Sequence, residues 1–263
     1  MDSTALGFGV TGALDLDIIR ALAPQLEAAG FKTLWINDTP GGDSLAGLAT
    51  AAAVTTTLQL GSGVIPLDRR PPVETIARVE SLHLPQDRLI LGVGSGAAHP
   101  ALQLVRDGIR DLQDGLECRV VVGALGPNMR KLGAVESSGL LLNWLTPDTA
   151  RSVSNEMLDD TREADREPAS ITLYVRVALG DIATDRLRAE ATRYGQIKGY
   201  AANFARLGID GIQASVFGSD SAALQSGISA YAGTVDEVGV RAITTSDHLV
   251  EYEKLLNAVK HLS

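Results

Sequence analysis

Short apolar runs alternate with amphipathic stretches from one end of the chain to the other. Leu6–Gly12, Thr33–Asp38, Leu58–Ile65 and Arg88–Gly94 predict the first four strands. Cys118–Gly123, Gly139–Asn143, Ile171–Leu179 and Val235–Ile243 predict the last four. Most are rich in Val, Ile and Leu without strict polar alternation, the pattern of parallel strands covered on both faces. The stretches between them read as helices. Ile18, Ile19, Leu22, Leu26 and Ala29 form one apolar stripe behind Asp15 as N-cap, with Pro24 expected to kink that helix and Gly30 to close it. Pro72 is placed to open another.

Eight strands alternating with helices predict an α/β fold, a single (β/α)8 TIM barrel with shortened insertions, although a doubly wound sheet shares the alternation. The length of 263 residues fits the ~250 of one such barrel. Gly211–Val216 competes with Val235–Ile243 for the eighth strand; the later run is preferred because Ser246–His261 then supplies the closing helix. No linker, low-complexity tract or charge block divides the chain, so residues 1–263 read as one barrel domain.

Composition narrows the function classes. At 45% hydrophobic residues the chain can bury a sizeable core, and no run approaches the ~18 apolar residues of a membrane span. Met1-Asp2-Ser3-Thr4 has no basic n-region, so a secretory signal is not expected. Cys118 is the only cysteine, which rules out an intrachain disulfide and points to the cytoplasm. A net charge of −9 argues against nucleic-acid and membrane partners. An anionic ligand would then need a local positive site.

In this fold the active site forms at the C-terminal ends of the strands. Those ends supply Thr11 and Gly12, Asn37 and Asp38, Gly63, Val64 and Pro66, Gly94–Gly96, Ala124–Gly126, Asn143 and Trp144, and Gly180. No H-x-H pair occurs there, and His83, His248 and His261 fall in predicted helices, so no metal site is expected. No lysine lies inside a predicted strand, which disfavours a Schiff-base aldolase, and Asp38 lacks the facing carboxylate that a glycosidase needs. Strand ends rich in glycine and poor in acids and bases point to an imported coenzyme that supplies the reactivity.

Two motifs stand out. Leu91–Ala97 (LGVGSGA) satisfies the dinucleotide pattern through Gly92, Gly94 and Ala97, but the next strand ends in Gly123-Ala124 where that pattern expects an acid. The glycines then serve either a tight turn into a helix or a flat ring lying against bare backbone. In Gly123–Lys131, Pro127 fits a first helical position. The turn is either a phosphate cradle at a helix start, with Arg130 and Lys131 nearby, or an ordinary strand-to-helix turn with a solvated basic pair. Arg69 and Arg70 form a second basic pair after the third strand.

With these segments placed, the chain resembles the bacterial-luciferase-like superfamily of FMN-dependent monooxygenases and coenzyme F420-dependent oxidoreductases. The resemblance rests on Thr33–Asp38 (TLWIND), Leu60–Leu67 (LGSGVIPL), Asp87–Gly96 (DRLILGVGSG) and Gly123–Trp144, in that order. LGSGV, Pro71-Pro72 and GALGP place it nearer the F420 branch. The resemblance implies a deazaflavin or flavin cofactor, F420 with FMN as alternative, and hydride transfer to or from a small organic substrate. It implies that Asn37 and Asp38 lie beside the coenzyme ring and that Gly63 and Val64 form a bulge behind it, often with a cis peptide. It further implies that Gly94, Ser95 and Gly96 lie near the ring, that Leu125 and Gly126 offer amides to the phosphate, and that Asn143 assists. Departures matter too. Thr39 and Ala97 stand where the F420-dependent sugar-phosphate dehydrogenases carry a histidine and a glutamate, so that activity is not expected. Asp38 and His99 are the candidate catalytic residues. Gly96 runs almost directly into the helix after Pro100, which leaves no room for the usual lid, so the pocket is open or completed by another subunit, as in a homodimer. A non-catalytic coenzyme-binding protein is the alternative of another class.

Overall fold

The computed structural model describes residues 4–262. Its strands are β1 (Ala5–Thr11), β2 (Thr33–Asn37), β3 (Gln59–Pro66), β4 (Leu89–Gly94), β5 (Arg119–Gly123), β6 (Gly139–Asn143), β7 (Ser170–Leu179), the short β8 (Ser215–Gly218) and β9 (Glu237–Ile243). All but β8 pair in parallel around a closed ring, in which β1 joins β9, β9 joins β7 and β7 joins β6. The fold is a (β/α)8 barrel. The late run is the eighth barrel strand, as its preceding competitor Gly211–Val216 overlaps only β8, which pairs with the upper part of β7 beyond the end of β6. The preference has a physical basis: β9 runs for 7 residues and buries Val238 and Val240 against the helical shell, whereas β8 has 4.

The helices are α1 (Leu16–Ala28), α2 (Ser44–Ala52), α3 (Pro72–Ser81), α4 (Ala101–Gly115), α5 (Pro127–Glu136), α6 (Pro147–Glu163), α7 (Asp181–Gly195), α8 (Lys198–Leu207), α9 (Ser221–Ser229) and α10 (Leu249–Val259). Among the described residues none is long and apolar enough to cross a membrane. Asp15 caps α1 by accepting from Asp17 N at 2.8 Å, and Gly30 ends it at φ 84°. That helix is continuous through Pro24. His83 and His248, expected inside helices, flank them instead. His83 lies beyond α3 at φ 50°, and His248 is the N-cap of α10.

Alternation along each strand separates two cores. Leu6, Phe8 and Val10 of β1, Leu34 and Ile36 of β2, and Val238 and Val240 of β9 face outward into the shell shared with the helices. The inward positions build a second core of Trp35, Ile90, Val121, Leu141 and Tyr174 on the barrel axis. Trp35 and Tyr174 meet edge to face, with ring centroids 6.0 Å apart. Trp35 donates its indole N–H to Glu237 Oε1 at 2.6 Å, and Thr33 Oγ1 donates to Glu237 Oε2 at 3.0 Å. Burial raises the Glu237 carboxyl above its ordinary value, partly offset by those donors and by Lys32 and Arg119. A side chain at Gly61 would collide with the Trp35 ring, and one at Gly7 with Glu237. The floor of the barrel is therefore filled.

Outside the barrel, Glu27 of α1 fastens the approach to β3. Its Oε1 accepts from Thr56 N at 2.9 Å, Thr57 N at 2.6 Å, Thr57 Oγ1 at 2.9 Å and Leu58 N at 2.8 Å. Burial works against ionisation, but the three backbone N–H groups and the hydroxyl outweigh it and hold the carboxyl down to about 2, from 4.5. A depressed folded-state pKa adds stability above the unfolded value of 4.5, and this is lost as pH falls towards 2. Glu27→Gln is expected to cost about 1 kcal/mol at pH 7, after allowance for solvent screening. Urea unfolding should show the difference between the two proteins shrink below pH 4.5 and vanish near pH 2; a difference that persists unchanged there would assign the contact's value to shape alone.

Candidate functional site

The inward positions nearest the C-terminal rim differ across the barrel. On one side β3, β4 and β5 present little but backbone. A register shift in β3 between Ser62 and Ile65 forms a bulge at Gly63–Val64, whose peptide is cis. The Val64 side chain leans into space left by Gly92, Gly94 and Gly123. A Cβ at these positions would lie 3.1 Å from Cγ1, 3.1 Å from Cγ2 and 2.9 Å from Cγ1 of Val64, respectively. On the other side β7 and β9 present Tyr174, Arg176 and Arg241.

Asn37 bridges the two sides. Its Nδ2 donates to the Gly63 carbonyl at 2.6 Å, while its buried Oδ1 has no partner among the described residues. The Tyr174 hydroxyl is likewise buried and unpartnered, and a Cβ at Gly63 would lie 2.5 Å from it. Burial pushes the Tyr174 phenol well up, only partly opposed by Arg241, so it stays protonated and is a donor. An unmade hydrogen bond at a buried polar atom costs ~1–3 kcal/mol. Two such atoms converging on one peptide mark a place built to receive hydrogen-bonding groups.

A cavity of about 410 Å³ opens beside them. Thr11, Asn37 and Thr39 form one wall, and Arg176, Arg186, Arg193 and Arg241, with Glu190 and Asp247, form the other. One face of α7 supplies Arg186, Glu190, Arg193 and Tyr194, at the spacing that keeps side chains together on a helix. The neighbouring stripe, Ala183, Leu187 and Ala191, is buried in apolar clusters against the barrel. That anchoring holds the helix across part of the mouth.

Arg176 organises this wall. It is buried, pairs with Glu190 through Nε at 3.0 Å and donates to Asn143 Oδ1. Its guanidinium stacks 3.7 Å from the centroid of the Trp144 ring. Trp144 holds a left-handed backbone, φ 57°, which a bulky residue keeps only when its surroundings enforce it. Here they do: Arg176, Tyr194 and Phe204 enclose the ring, the last two with centroids at 5.1 and 5.9 Å. Burial would raise the Glu190 carboxyl, but Arg176, Arg241 and Arg193 together hold it below its ordinary value.

The residues marked from the sequence are distributed as follows. Asn37 lines the cavity. Gly63, Val64 and Gly94 form the bare side of the mouth, with Ser95 half-buried and Gly96 exposed above it. Gly96 has φ 60° and a side chain there would strike Asp68, whose Oδ2 accepts from Ala97 N at 2.8 Å. Asp38 is turned into an ion-pair cluster: its carboxylate accepts from Ser44 at 2.8 Å and pairs with Arg70 at 3.3 Å and Arg69 at 3.5 Å. His99 is exposed, at a cis bond to Pro100. Gly126 precedes α5 with open space beside it, but the Leu125 carbonyl is held by Arg130 and Arg206. Asn143 is held by Arg176. Both basic pairs are committed elsewhere: Arg130 binds Glu156 at 2.9 Å, and Lys131 binds Asp160 at 2.8 Å and Glu163 at 3.2 Å. The cations that face the mouth, Arg176, Arg186, Arg193 and Arg241, were not marked. A signal existed, because Arg176 is the only charge on β7 and Arg241 interrupts the apolar run of β9, positions where an unpaired charge is rarely tolerated.

With this geometry in view, comparison with known proteins is informative. Residues 3–117 match the luciferase-like monooxygenase family. No curated protein sequence matches the chain. Among solved structures, the barrel superposes on the coenzyme F420-dependent tetrahydromethanopterin reductase of Methanopyrus kandleri. The TM-score is 0.69 at 16% identity over 97% of this chain and 99% of that one. An F420-dependent secondary alcohol dehydrogenase in complex with an F420–acetone adduct gives 0.74 at 13% identity, over 97% and 99%. The oxygenating constituent of 3,6-diketocamphane monooxygenase from Pseudomonas putida, in complex with FMN, gives 0.71 at 14%, over 98% and 96%. At these identities the likeness is one of fold.

Arg176→Met removes the ion pair, the bond to Asn143 and the stack on Trp144 in one step. Removing one partner of a buried pair costs ~3–5 kcal/mol, and the partial exposure of Glu190 puts the expectation near the lower figure. Arg176→Lys should recover less than half, because an ammonium lacks the planar fork that stacks and bonds at once. Chemical denaturation of the three proteins measures both.

Proposed function

We propose that the chain is an oxidoreductase that uses coenzyme F420, with FMN as the alternative coenzyme, to move a hydride to or from a small organic substrate. Asn37 carries this reading. Asn37 lines the cavity, its Nδ2 is locked to the Gly63 carbonyl, and its buried Oδ1 has no partner among the described residues, an acceptor left over beside the bulge. A flat ring with an N–H on its edge suits an acceptor in that position, next to a wall with almost no side chains.

The residues present fit such a group. Gly63, Val64 and Gly94 would lie behind the ring, and Asn37 and the Tyr174 hydroxyl would meet its polar atoms. Ser95 and Gly96 would flank it, and the free amides at Leu125 and Gly126, at the start of α5, would take the phosphate. Asn143 would act through Arg176, which holds it. The coenzyme, when bound, supplies the hydride acceptor or donor that no side chain can provide. The chain's own part is to position the ring and leave one face towards the cavity, where substrate and ring are brought into contact and solvent is reduced. Asp38, fixed among Ser44, Arg69 and Arg70, would shape the end of β2 rather than exchange protons; His99, on the exposed side of the β4–α4 turn, remains the candidate proton donor. Similar folds that bind F420 in one case and FMN in another support a coenzyme of this class.

Fluorescence titration of the full chain with F420 and with FMN tests the reading. F420 is expected to bind with a Kd of about 1 μM or tighter, at least tenfold below FMN, and Asn37→Leu is expected to weaken it about tenfold, some 1.4 kcal/mol. Equal or tighter FMN binding would favour a flavin-dependent monooxygenase. Binding of neither would sink both, and tight binding without turnover of any substrate tried would favour a non-catalytic carrier.

A further inference from the structure

We infer that the arginine wall of the barrel-mouth cavity recognises the carboxylate of an organic acid substrate, through Arg241 and Arg193. The inference rests on the coenzyme reading only in assigning the anion to the substrate rather than to the coenzyme.

Four arginines and two carboxylates line this cavity in a chain whose net charge is −9. The global field repels anions, so a concentration of positive charge at one mouth is a local device. The acids there are already engaged. Glu190 is held by Arg176 at 3.0 Å, and Asp247 lies 3.9 Å from Arg186, which also donates to the Thr244 carbonyl. Arg176 is further committed to Asn143 and to the Trp144 ring. Among the described residues, neither Arg241 nor Arg193 forms an ion pair. Arg241 donates only to the Ala242 carbonyl and Arg193 only approaches the Tyr194 ring, 5.9 Å away; both act on Glu190 through space without a direct contact. Each guanidinium carries five N–H donors in a fork that matches a carboxylate, so most of their capacity faces the cavity.

Arg241 is also provided for from below. It is half-buried on the inward face of β9, and a Cβ at Gly9 would lie 3.3 Å from both its Cα and its Cδ. Glycine at position 9 thus lets the arginine chain lie across the barrel top, beside the Tyr174 ring. A guanidinium placed only to offset Glu190 would be expected to pair with it. The neutral wall opposite, Thr11, Asn37 and Thr39, leads to the Gly63 bulge. An acid anchored on the arginines therefore extends its uncharged part towards the place proposed for the ring. At about 410 Å³ the cavity is in the ~300–1,000 Å³ range of small-molecule sites.

Isothermal titration of the full chain with benzoate and with benzyl alcohol, its neutral counterpart, tests the inference. Benzoate is expected to bind at least about tenfold more tightly, with affinity falling as salt is raised. Arg241→Gln and Arg193→Ala should each weaken benzoate about tenfold and Arg193→Glu more, with benzyl alcohol unaffected. Because Arg193 is exposed, its variants carry the test even if Arg241→Gln unfolds, which a thermal melt would show. Absence of benzoate binding, equal affinity for the two probes, or indifference to the arginine variants would overturn the inference. A parallel F420 titration separates the two readings. Benzoate displacing F420 would assign the arginines to the coenzyme's own anionic tail and overturn the substrate assignment, whereas simultaneous binding upholds it. If benzoate follows the arginines and neither F420 nor FMN binds, the anion site stands and the coenzyme reading falls. If F420 binds and benzoate ignores the arginines, the inference falls alone.

Discussion

An eight-stranded barrel encloses a limited interior, just wide enough for its inward side chains to fill, so every large residue on the axis must be matched by a small one opposite. Here Trp35 and Tyr174 occupy most of the lower space, and Glu237 joins Trp35 at the floor. Gly7 and Gly61 stand where any side chain would strike that pair, and Gly239 faces the Tyr174 ring. The same rule continues upward. Val64 takes the room left by Gly92, Gly94 and Gly123, while Gly9 lies beneath Arg241. The lopsided mouth, bare on β3–β5 and cationic on β7 and β9, is thus a consequence of filling the barrel from below.

Electrostatics at the mouth depends on that lopsidedness. With no side chains on one side, the charged groups gather on the other, where α7 can reach them. Arg176 is buried because it exchanges water for Glu190, Asn143 and the face of Trp144 together; any one alone would not offset its desolvation. Once it is in place, Glu190 is held ionised and Trp144 is held in its left-handed backbone. Removing the helix from this arrangement would expose both, so α7 is as much a part of the site as the strands.

The loops around the rim are tied to one another rather than to the cavity. Arg69 and Arg70 join the end of β3 to Asp38 at the end of β2, Asp68 holds Ala97 beyond β4, and Arg206 of α8 reaches the Leu125 carbonyl beyond β5. These cross-links explain why basic residues that stand near strand ends in the chain do not serve as free cations. Carboxylates on neighbouring loops and helices reach them first. Their role is to keep the rim in register over a floor that is already close-packed.

The strand pattern, the eighth-strand choice, the cap at Asp15 and the helix start at Pro127 were legible in the sequence, whereas the bulge at Gly63–Val64 was expected only from the family resemblance. Each of the legible features depends on neighbours along the chain or on a period of two, and local sterics decides such features. The same reading marked Asn37 and the glycines of the mouth, since strand ends are where this fold places its site. It marked Arg130, Lys131, Arg69 and Arg70 as the cations and passed over Arg176, Arg186, Arg193 and Arg241. Whether a charge is free or paired depends on carboxylates 26 or more residues away, as Glu156 is from Arg130, and on which face of a strand looks inward after closure. Composition and periodicity therefore determined the alternation of strands and helices and the strand ends at which chemistry can occur, and the β1–β9 and β6–β7 pairings closed the sheet into a barrel. Only tertiary packing decided which guanidinium groups are spent on partners and which face the cavity, because that is a matter of distance through space and not along the chain.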